Sequence, residues 1–389
     1  MRVLHICSDF FGTSAHVSLF SELDNIGIEQ IIYVPIHMYS DISRRSMSFI
    51  TKGSRLIIST RMNPIHKYLY GVKINTLVKD LISKIDVSSI DIIHTSVMCN
   101  EGAIAYELSK KYKIPYITAV RNTDINSYFR FLKWRKSYFK HIAENASRII
   151  FISSQYPYHL SKALGLHSDD DLIKKFTVIH NGLDKIYIDN RYKEMNEPQT
   201  FVSIIITGAF VKNKNIHGLI EAVSKLVNEG YDIKLTAIGN NLASYSVDKQ
   251  YAEYILEQEK KLSWFTTMPA IPKEDLLYEL RKYDLFVLPS FKETFGLSYL
   301  EALSQGLPIV YTLNEGFDGT YPDGFVGYGA DANNVDSIAD SIKKCINNYM
   351  ILRENIMNID FSEYRWANIA IRYKDLYNKI LMITDSSKL

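Results

Sequence analysis

Glu293 and Glu301 stand eight positions apart in the run Glu293-Thr294-Phe295-Gly296-Leu297-Ser298-Tyr299-Leu300-Glu301, entered from the apolar stretch Leu285-Phe286-Val287-Leu288-Pro289-Ser290. The apolar stretch has the length of a buried parallel strand, and Gly296 frees the backbone just before a helix. Such a turn suits an anion, because the first helical N–H groups and the helix dipole both favour negative charge there. A carboxylate one turn further in can accept two hydrogen bonds from a vicinal diol. A nucleotide sugar carries both a diphosphate and a ribose diol. A second reading stays open on spacing alone: Ser298-x-x-Glu301 is also the pattern of a capping box, in which Glu301 would only satisfy backbone donors.

The elements that must hold these groups alternate between strand-like and helical patterns, the signature of parallel sheets covered by helices. Strands are predicted over 3–6, 30–34, 90–94, 115–120 and 148–152, and a new cycle opens with 201–206, 233–238, 285–288 and 308–311. Two doubly wound α/β units in series follow from this, and 389 residues suit two domains better than one core. Residues 185–200 are polar and lack an apolar period, which puts the expected boundary at 190/191. The stretch Tyr364–Tyr377 has helical apolar spacing at 366, 369, 370, 373, 376 and 377. Neither unit contains a G-x-G-x-x-G turn, so a nicotinamide or flavin site has no sequence support.

Composition is that of an ordinary globular chain, with 47% hydrophobic and 23% charged residues. No segment reaches the roughly 18 apolar residues that spanning a bilayer requires, and Met1-Arg2-Val3-Leu4-His5-Ile6 opens as a strand rather than a signal sequence. A cytoplasmic location is the expectation. Cys7, Cys99 and Cys345 are isolated and are expected to be buried thiols. The net charge of +2 conceals an asymmetry: residues 1–190 carry 24 Lys+Arg against 17 Asp+Glu, leaving 21 against 26 for the remainder. Residues 42–79 hold eight cations (Arg44, Arg45, Lys52, Arg55, Arg61, Lys67, Lys73, Lys79) and no acid. Residues 128–142 hold five cations, six aromatics and no acid. That second composition fits an interfacial helix on an anionic membrane, and equally an amphipathic helix with its aromatics in the core. No D-x-D with neighbouring ligands suggests a metal.

Three ordered motifs carry a family resemblance. They are Val178-Ile179-His180-Asn181-Gly182-Leu183-Asp184; then Thr207-Gly208-Ala209-Phe210-Val211-Lys212-Asn213-Lys214-Asn215 followed by Leu219-Ile220-Glu221-Ala222; and the Glu293–Glu301 stretch followed by Ala302-Leu303-Ser304-Gln305-Gly306-Leu307-Pro308. The chain resembles retaining glycosyltransferases of the two-domain GT-B class, in particular the GT4 family, the glycosyl transferases group 1. The resemblance implies two Rossmann-like domains facing a central cleft. An acceptor domain would span 1–190 and a nucleotide-sugar domain 191–358, with a last helix, 359–389, crossing back to the first domain.

The resemblance also implies roles. Glu301 grips the ribose hydroxyls, Glu293 sits by the donor sugar, and the backbone of Phe295, Gly296 and Leu297 faces the diphosphate. Lys214, beside Gly208, stabilises the departing nucleotide diphosphate, whose negative charge develops in the transition state. Asn181 joins the donor site. Gly12, in Ser8-Asp9-Phe10-Phe11-Gly12, together with His94 and Asp124, is expected at the cleft or the acceptor. Two departures stand out. Ala209 occupies a position where the family commonly has arginine, so one diphosphate cation is missing. Arg121 stands where a histidine is common; it cannot act as a base near neutral pH but can supply positive charge, and it is counted with Lys214 and Glu293 as catalytic.

The implied activity is metal-independent, cofactor-free transfer of a sugar from a nucleotide donor, UDP-sugar expected, to a glycan or lipid-linked acceptor in bacterial surface polysaccharide synthesis. The expected partners are that donor, the acceptor and an anionic membrane surface met through 42–79 and 128–142 on the inner face of the cell membrane, without nucleic acid. Two alternatives share the fold: a nucleotide-sugar epimerase and a catalytically silent binding or partner subunit.

Overall fold

The computed structural model describes residues 1–36, 47–168, 170–194, 201–240 and 248–386. Arg44, Arg45, Asp169 and the 195–200 part of the expected linker lie outside these residues. The chain forms two units, Met1–Gly182 with Glu363–Leu389, and Leu183–Ser362.

The first unit is built on seven parallel strands: β1 (Arg2–Ile6), β2 (Glu29–Pro35), β3 (Arg55–Ser59), β4 (Ile92–Thr95), β5 (Tyr116–Val120), β6 (Arg148–Phe151) and β7 (Phe176–Val178). Their order across the sheet is β3-β2-β1-β4-β5-β6-β7. Side chains along a strand alternate between faces, so a strand covered on both sides must be apolar at every position. Leu4, Ile6, Ile31, Tyr33 and Ile93 accordingly enter one core, while Val3, Ile32, Val34, Ile92 and Ile117 enter the other. The last helix, Trp366–Ser386, belongs to this unit and closes the second core with Ile369, Ala370, Tyr373, Tyr377 and Ile380. Gly182 lies flat on the Trp366 indole, in space that a Cβ would share with the ring.

The second unit has six parallel strands: β8 (Val202–Thr207), β9 (Ile233–Asn240), β10 (Phe265–Pro269), β11 (Leu285–Val287), β12 (Ile309–Thr312) and β13 (Gly327–Ala330), in the order β10-β9-β8-β11-β12-β13. The helix Ile216–Asn228 covers this sheet because Ile216, Leu219, Ile220, Val223 and Leu226 recur at helical spacing and are all buried. Each such side chain contributes about 1.5–3 kcal/mol by leaving water.

Each sheet reverses its winding once, between β1 and β4 in the first unit and between β8 and β11 in the second. At such a point the connections leave in opposite directions and open a crevice at the carboxyl ends of the strands.

The structure departs from the sequence expectation at the linker. Residues 185–189 form a helix that buries Tyr187 and Ile188, so the second unit begins at Leu183 rather than 191, and it ends at Ser362 rather than 358. The expected helix over 128–142 is also broken: a π turn at Asp124–Tyr128 leads into Phe129–Phe131, a 3-10 turn at Lys133–Arg135 and a helix at Lys136–Asn145. Phe139 enters the core, whereas Phe131 and Trp134 face outward. Among the described residues no helix is long and apolar enough to cross a membrane.

Candidate functional site

In the second unit, the loops leaving β8 and β11 lie side by side because those strands are paired. Gly208 ends β8 in a left-handed conformation (φ +137°), and its N–H donates to Ile238 O at 2.9 Å. The chain then makes a 3-10 turn, Lys212–Lys214, and Asn215 (φ +54°) starts the next helix. From this turn Lys214 Nζ donates to Glu293 Oε2 at 3.0 Å, and both side chains remain partly exposed, 23% and 16%. Asn213 Nδ2 donates to Lys292 O (2.9 Å) and Phe291 N to Asn213 O (2.9 Å), which stitches the two loops together.

Glu315, buried below, fixes the far side of the Glu293 loop. It accepts from the Glu293 N–H at 3.0 Å and from Lys292 Nζ at 2.8 Å. Gly316 N–H donates to Glu293 O at 2.8 Å, and Gly316 lies against the Thr294–Phe295 peptide with no room for a side chain.

Gly296 is the N-cap of the helix Leu297–Ser304, at φ +80° and ψ +65°, and no side chain caps this end. Ser298 is therefore already inside the helix, and the capping-box reading of Glu301 fails. Among the described residues the N–H groups of Gly296 and Leu297 have no acceptor, which leaves donors free at the positive end of a helix. One turn on, the Glu301 carboxylate has no hydrogen-bond partner among the described residues. Burial pushes its pKa up to about 7, with nearby Lys273 pulling it down and Asp184 pushing it up. Asp184 caps the helix Lys185–Asp189 and accepts from Lys273 Nζ at 2.8 Å. Neither the lysine nor the aspartate was singled out as a site residue. Lys273 lies at a helix start in a polar loop with no distinguishing pattern.

In the first unit, the turn after β1 and the turn after β4 are joined by Glu101, a fully buried residue that sequence reasoning missed. Its Oε1 accepts from Ser8 N and Ser8 Oγ, both at 2.6 Å, and its Oε2 accepts from Ser96 N (2.7 Å) and Val97 N (3.0 Å). Burial raises its pKa to about 7 against the pull of these four bonds. Gly12 closes the β1 turn by donating its N–H to Asp9 O at 3.0 Å, and its Cα lies against the Asp9 carboxylate.

Arg121 leaves the end of β5, and its Nε donates to Ser96 O at 3.2 Å. Asp124 is fully buried and accepts from the backbone N–H groups of Cys99 (2.7 Å), Arg121 (2.8 Å) and Met98 (3.3 Å). These three backbone donors, one of them the N–H of Arg121, enclose the Asp124 carboxylate. His94 is likewise buried. Its Nδ1 pairs with the Tyr377 hydroxyl of the last helix at 2.7 Å, and burial, then Arg121, lower its pKa to about 3. Asn181 is half-buried next to Gly182. Cys7, Cys99 and Cys345 are free and buried. Among the described residues no group of three His, Cys, Asp or Glu side chains is arranged to hold a metal ion.

Residues 189–359 match the family model described as Glycosyl transferases group 1. That match covers nearly the whole of the second unit. Curated relatives point the same way. The chain is 24% identical over 300 residues to an uncharacterized glycosyltransferase of Methanocaldococcus jannaschii, covering 76% of this chain and 77% of that protein. It is 29% identical over 217 residues to the capsular polysaccharide biosynthesis glycosyltransferase CapM of Staphylococcus aureus, covering 55% and 53%. Among solved structures, sucrose-phosphate synthase from Thermosynechococcus elongatus superposes with a TM-score of 0.76 at 17% identity, over 98% of this chain and 100% of that one. Anabaena HepE in complex with UDP and glucose superposes with a TM-score of 0.68 at 15% identity, over 97% and 100%. These likenesses show the fold, two Rossmann-like parallel-sheet units of the GT-B kind.

Proposed function

We propose that the protein is a retaining glycosyltransferase of the GT4 type that moves a sugar from a nucleotide diphosphate donor to a glycan or lipid-linked acceptor, in bacterial surface polysaccharide synthesis. One observation carries this reading. At the reversal point of the second sheet, Lys214, Glu293, the free N–H groups of Gly296 and Leu297, and the unpartnered Glu301 meet the needs of a nucleotide sugar in turn: charge, sugar hydroxyls, phosphate and ribose diol. In the reaction the bond from the donor's anomeric carbon to the diphosphate oxygen breaks, the acceptor oxygen bonds to that carbon, and the acceptor proton passes to the leaving phosphate. Lys214 acts on the developing phosphate charge. Arg121 is assigned a catalytic role as a cation and Asn181 a role in donor binding, both on the family resemblance. The name of the HepE complex, which includes UDP, supports a UDP-sugar donor. Metal-independence accords with a lysine doing the work of charge neutralisation.

The test is nucleoside diphosphate release from UDP-, GDP- and ADP-sugars in the presence of acceptor glycans, with the product's anomeric configuration read by NMR. Release with retained configuration is expected. Inversion, or no release from any donor, contradicts the reading.

The first unit is also proposed to lie on an anionic membrane surface at the inner face of the cell. Arg135 stacks its guanidinium over the Tyr70 ring at 4.7 Å, and Tyr70 packs edge-on against Tyr128, Tyr138 and Phe139. The segments that hold Tyr70 and Arg135 are therefore packed against one another. Tyr68 (79%), Trp134 (74%) and Phe131 (64%) are exposed in these segments, the last two with Arg130, Lys133 and Lys136 beside them in the chain, a composition that suits a membrane interface.

A further inference from the structure

Where these two segments meet lies a cavity of about 760 Å³ which the catalytic reading does not use. Its walls come from the helix Tyr70–Lys84, the helix Ala103–Tyr112, the turn at Lys133–Arg135 and the helix Lys136–Asn145. Four cations line it, Lys79, Lys110, Lys111 and Arg135, with Tyr70 and Tyr138 between them. The single acid in the lining is Glu107. Its carboxylate is engaged by the Tyr138 hydroxyl at 3.3 Å and, more loosely, by Lys110 at 3.9 Å. Among the described residues Lys79, Lys111 and Arg135 have no carboxylate partner. Four positive charges thus face one negative charge, and a phosphate would offer them charged acceptor oxygens in place of water. The volume is that of a small-molecule site, enough for a phosphate together with the glycerol or sugar it is esterified to.

Two features favour a lipid as the bearer of that phosphate. Gly71 and Tyr70 in the cavity wall are chain neighbours of exposed Tyr68, Leu69 and Val72, and Arg135 follows exposed Trp134. Exposed apolar side chains therefore adjoin the cavity in the chain, and its lining sets four cations beside Ile74, Val78 and Ile82, a combination that suits the acyl chain and headgroup of a bilayer surface.

We propose that this cavity is a headgroup subsite that takes the phosphodiester of an anionic membrane lipid, with the exposed Tyr68, Leu69, Val72 and Trp134 that adjoin it in the chain seated in the interface. The proposal rests on the membrane part of the proposed function and is independent of the donor site.

The experiment is vesicle co-flotation of the full chain. Three vesicle types are compared: phosphatidylcholine alone, phosphatidylcholine with phosphatidylglycerol, and phosphatidylcholine with an equal charge of fatty acid carboxylate. The variants are K110Q/K111Q/R135Q in the cavity and R130Q/K133Q/K136Q in the adjoining chain outside its lining, each checked for an unchanged melting curve. Partition is expected on phosphatidylglycerol above both other surfaces. The cavity variant is expected to lower it about a hundredfold, at least tenfold more than the outside variant. Soluble glycerol 1-phosphate should displace the wild type from phosphatidylglycerol where equal ionic strength of chloride does not. Equal losses in the two variants, or equal binding to the carboxylate surface, overturn the subsite while leaving diffuse membrane attraction. Glycerol phosphate binding without vesicle binding overturns the lipid as its source. Titration with UDP, run separately, judges the donor site whatever the vesicles show.

Discussion

Lys214 and Glu293 neutralise each other across 3.0 Å and keep contact with water, so the lysine is held in place without being committed. A bound diphosphate would outbid a single carboxylate for it. Lys214→Ala should lower turnover by about 10²–10³-fold with little change in melting temperature, since an exposed pair adds at most about 1 kcal/mol; a variant with near-normal turnover would remove Lys214 from the chemistry. Arg121→Ala is expected to remove most turnover as well, and near-wild-type kinetics would reduce Arg121 to its contact with Ser96. Glu301 gives a prediction with a sign. Its carboxyl holds a proton to about pH 7 in the folded chain against 4.5 for the ordinary group. The stability this gives is fully present below the ordinary value and is lost as pH rises through about 7. The ionised form, however, is the better diol acceptor. Nucleotide affinity should therefore rise with pH through about 7 while stability of the free protein falls. In Glu301→Gln both slopes should flatten, and the free protein above that pH should gain about 1–3 kcal/mol from losing an unpaired buried charge. Calorimetric titration and melting across pH would show this.

The elements that hold these groups depend on backbone freedom at single positions. Gly296 sits at φ +80°, and a Cβ there would enter the Tyr299 ring, which is itself tied to Leu288 O at 2.6 Å. Gly296→Ala is expected to cost about 1–3 kcal/mol and to weaken nucleotide binding further than it weakens folding, because it tilts the start of the helix. Denaturant melts and titrations on the same sample separate the two effects. The nine strands expected from apolar runs are the central strands of the two sheets. The four that went unannounced, β3, β7, β10 and β13, are the four sheet edges. An edge strand is covered on fewer sides and need not be apolar throughout: β7 has no fully buried residue, and β13 is Gly-Tyr-Gly-Ala. The residues proposed for the donor could be picked out together because they follow central strands at fixed spacings. Glu101 was not, since a carboxylate that bridges the turns after β1 and β4 is 93 positions from Ser8 in sequence. Nor was the enclosure of Asp124, which depends on three backbone donors, two of them more than twenty positions away. Patterning at a period of 3.6 also could not foresee the π and 3-10 turns that split 128–142 and send its aromatics in two directions.

At the scale of the whole molecule, the charge asymmetry of the sequence follows the division into two units. The first unit carries the cationic cavity and the aromatic-basic segments, and the second carries the acidic pair with its lysine. The last helix makes the first unit discontinuous in sequence. His94, Tyr373 and Tyr377 join it to the sheet through a buried hydrogen bond and stacked rings. Tyr377→Phe leaves the His94 ring without its partner and should cost about 1–3 kcal/mol, seen as a lower melting temperature with donor affinity unchanged. An unchanged melt would mean that the hydrogen bond adds nothing to the docking. The central claim concerns the second unit, that Lys214, Glu293, Gly296 and Glu301 form a nucleotide-sugar site. Calorimetric titration of the full chain with UDP and UDP-sugars, beside Glu301→Ala, tests it most directly. Saturable one-site binding that falls at least about tenfold in the variant is the expected result; no heat with any nucleotide, or equal affinity in the variant, would contradict the account.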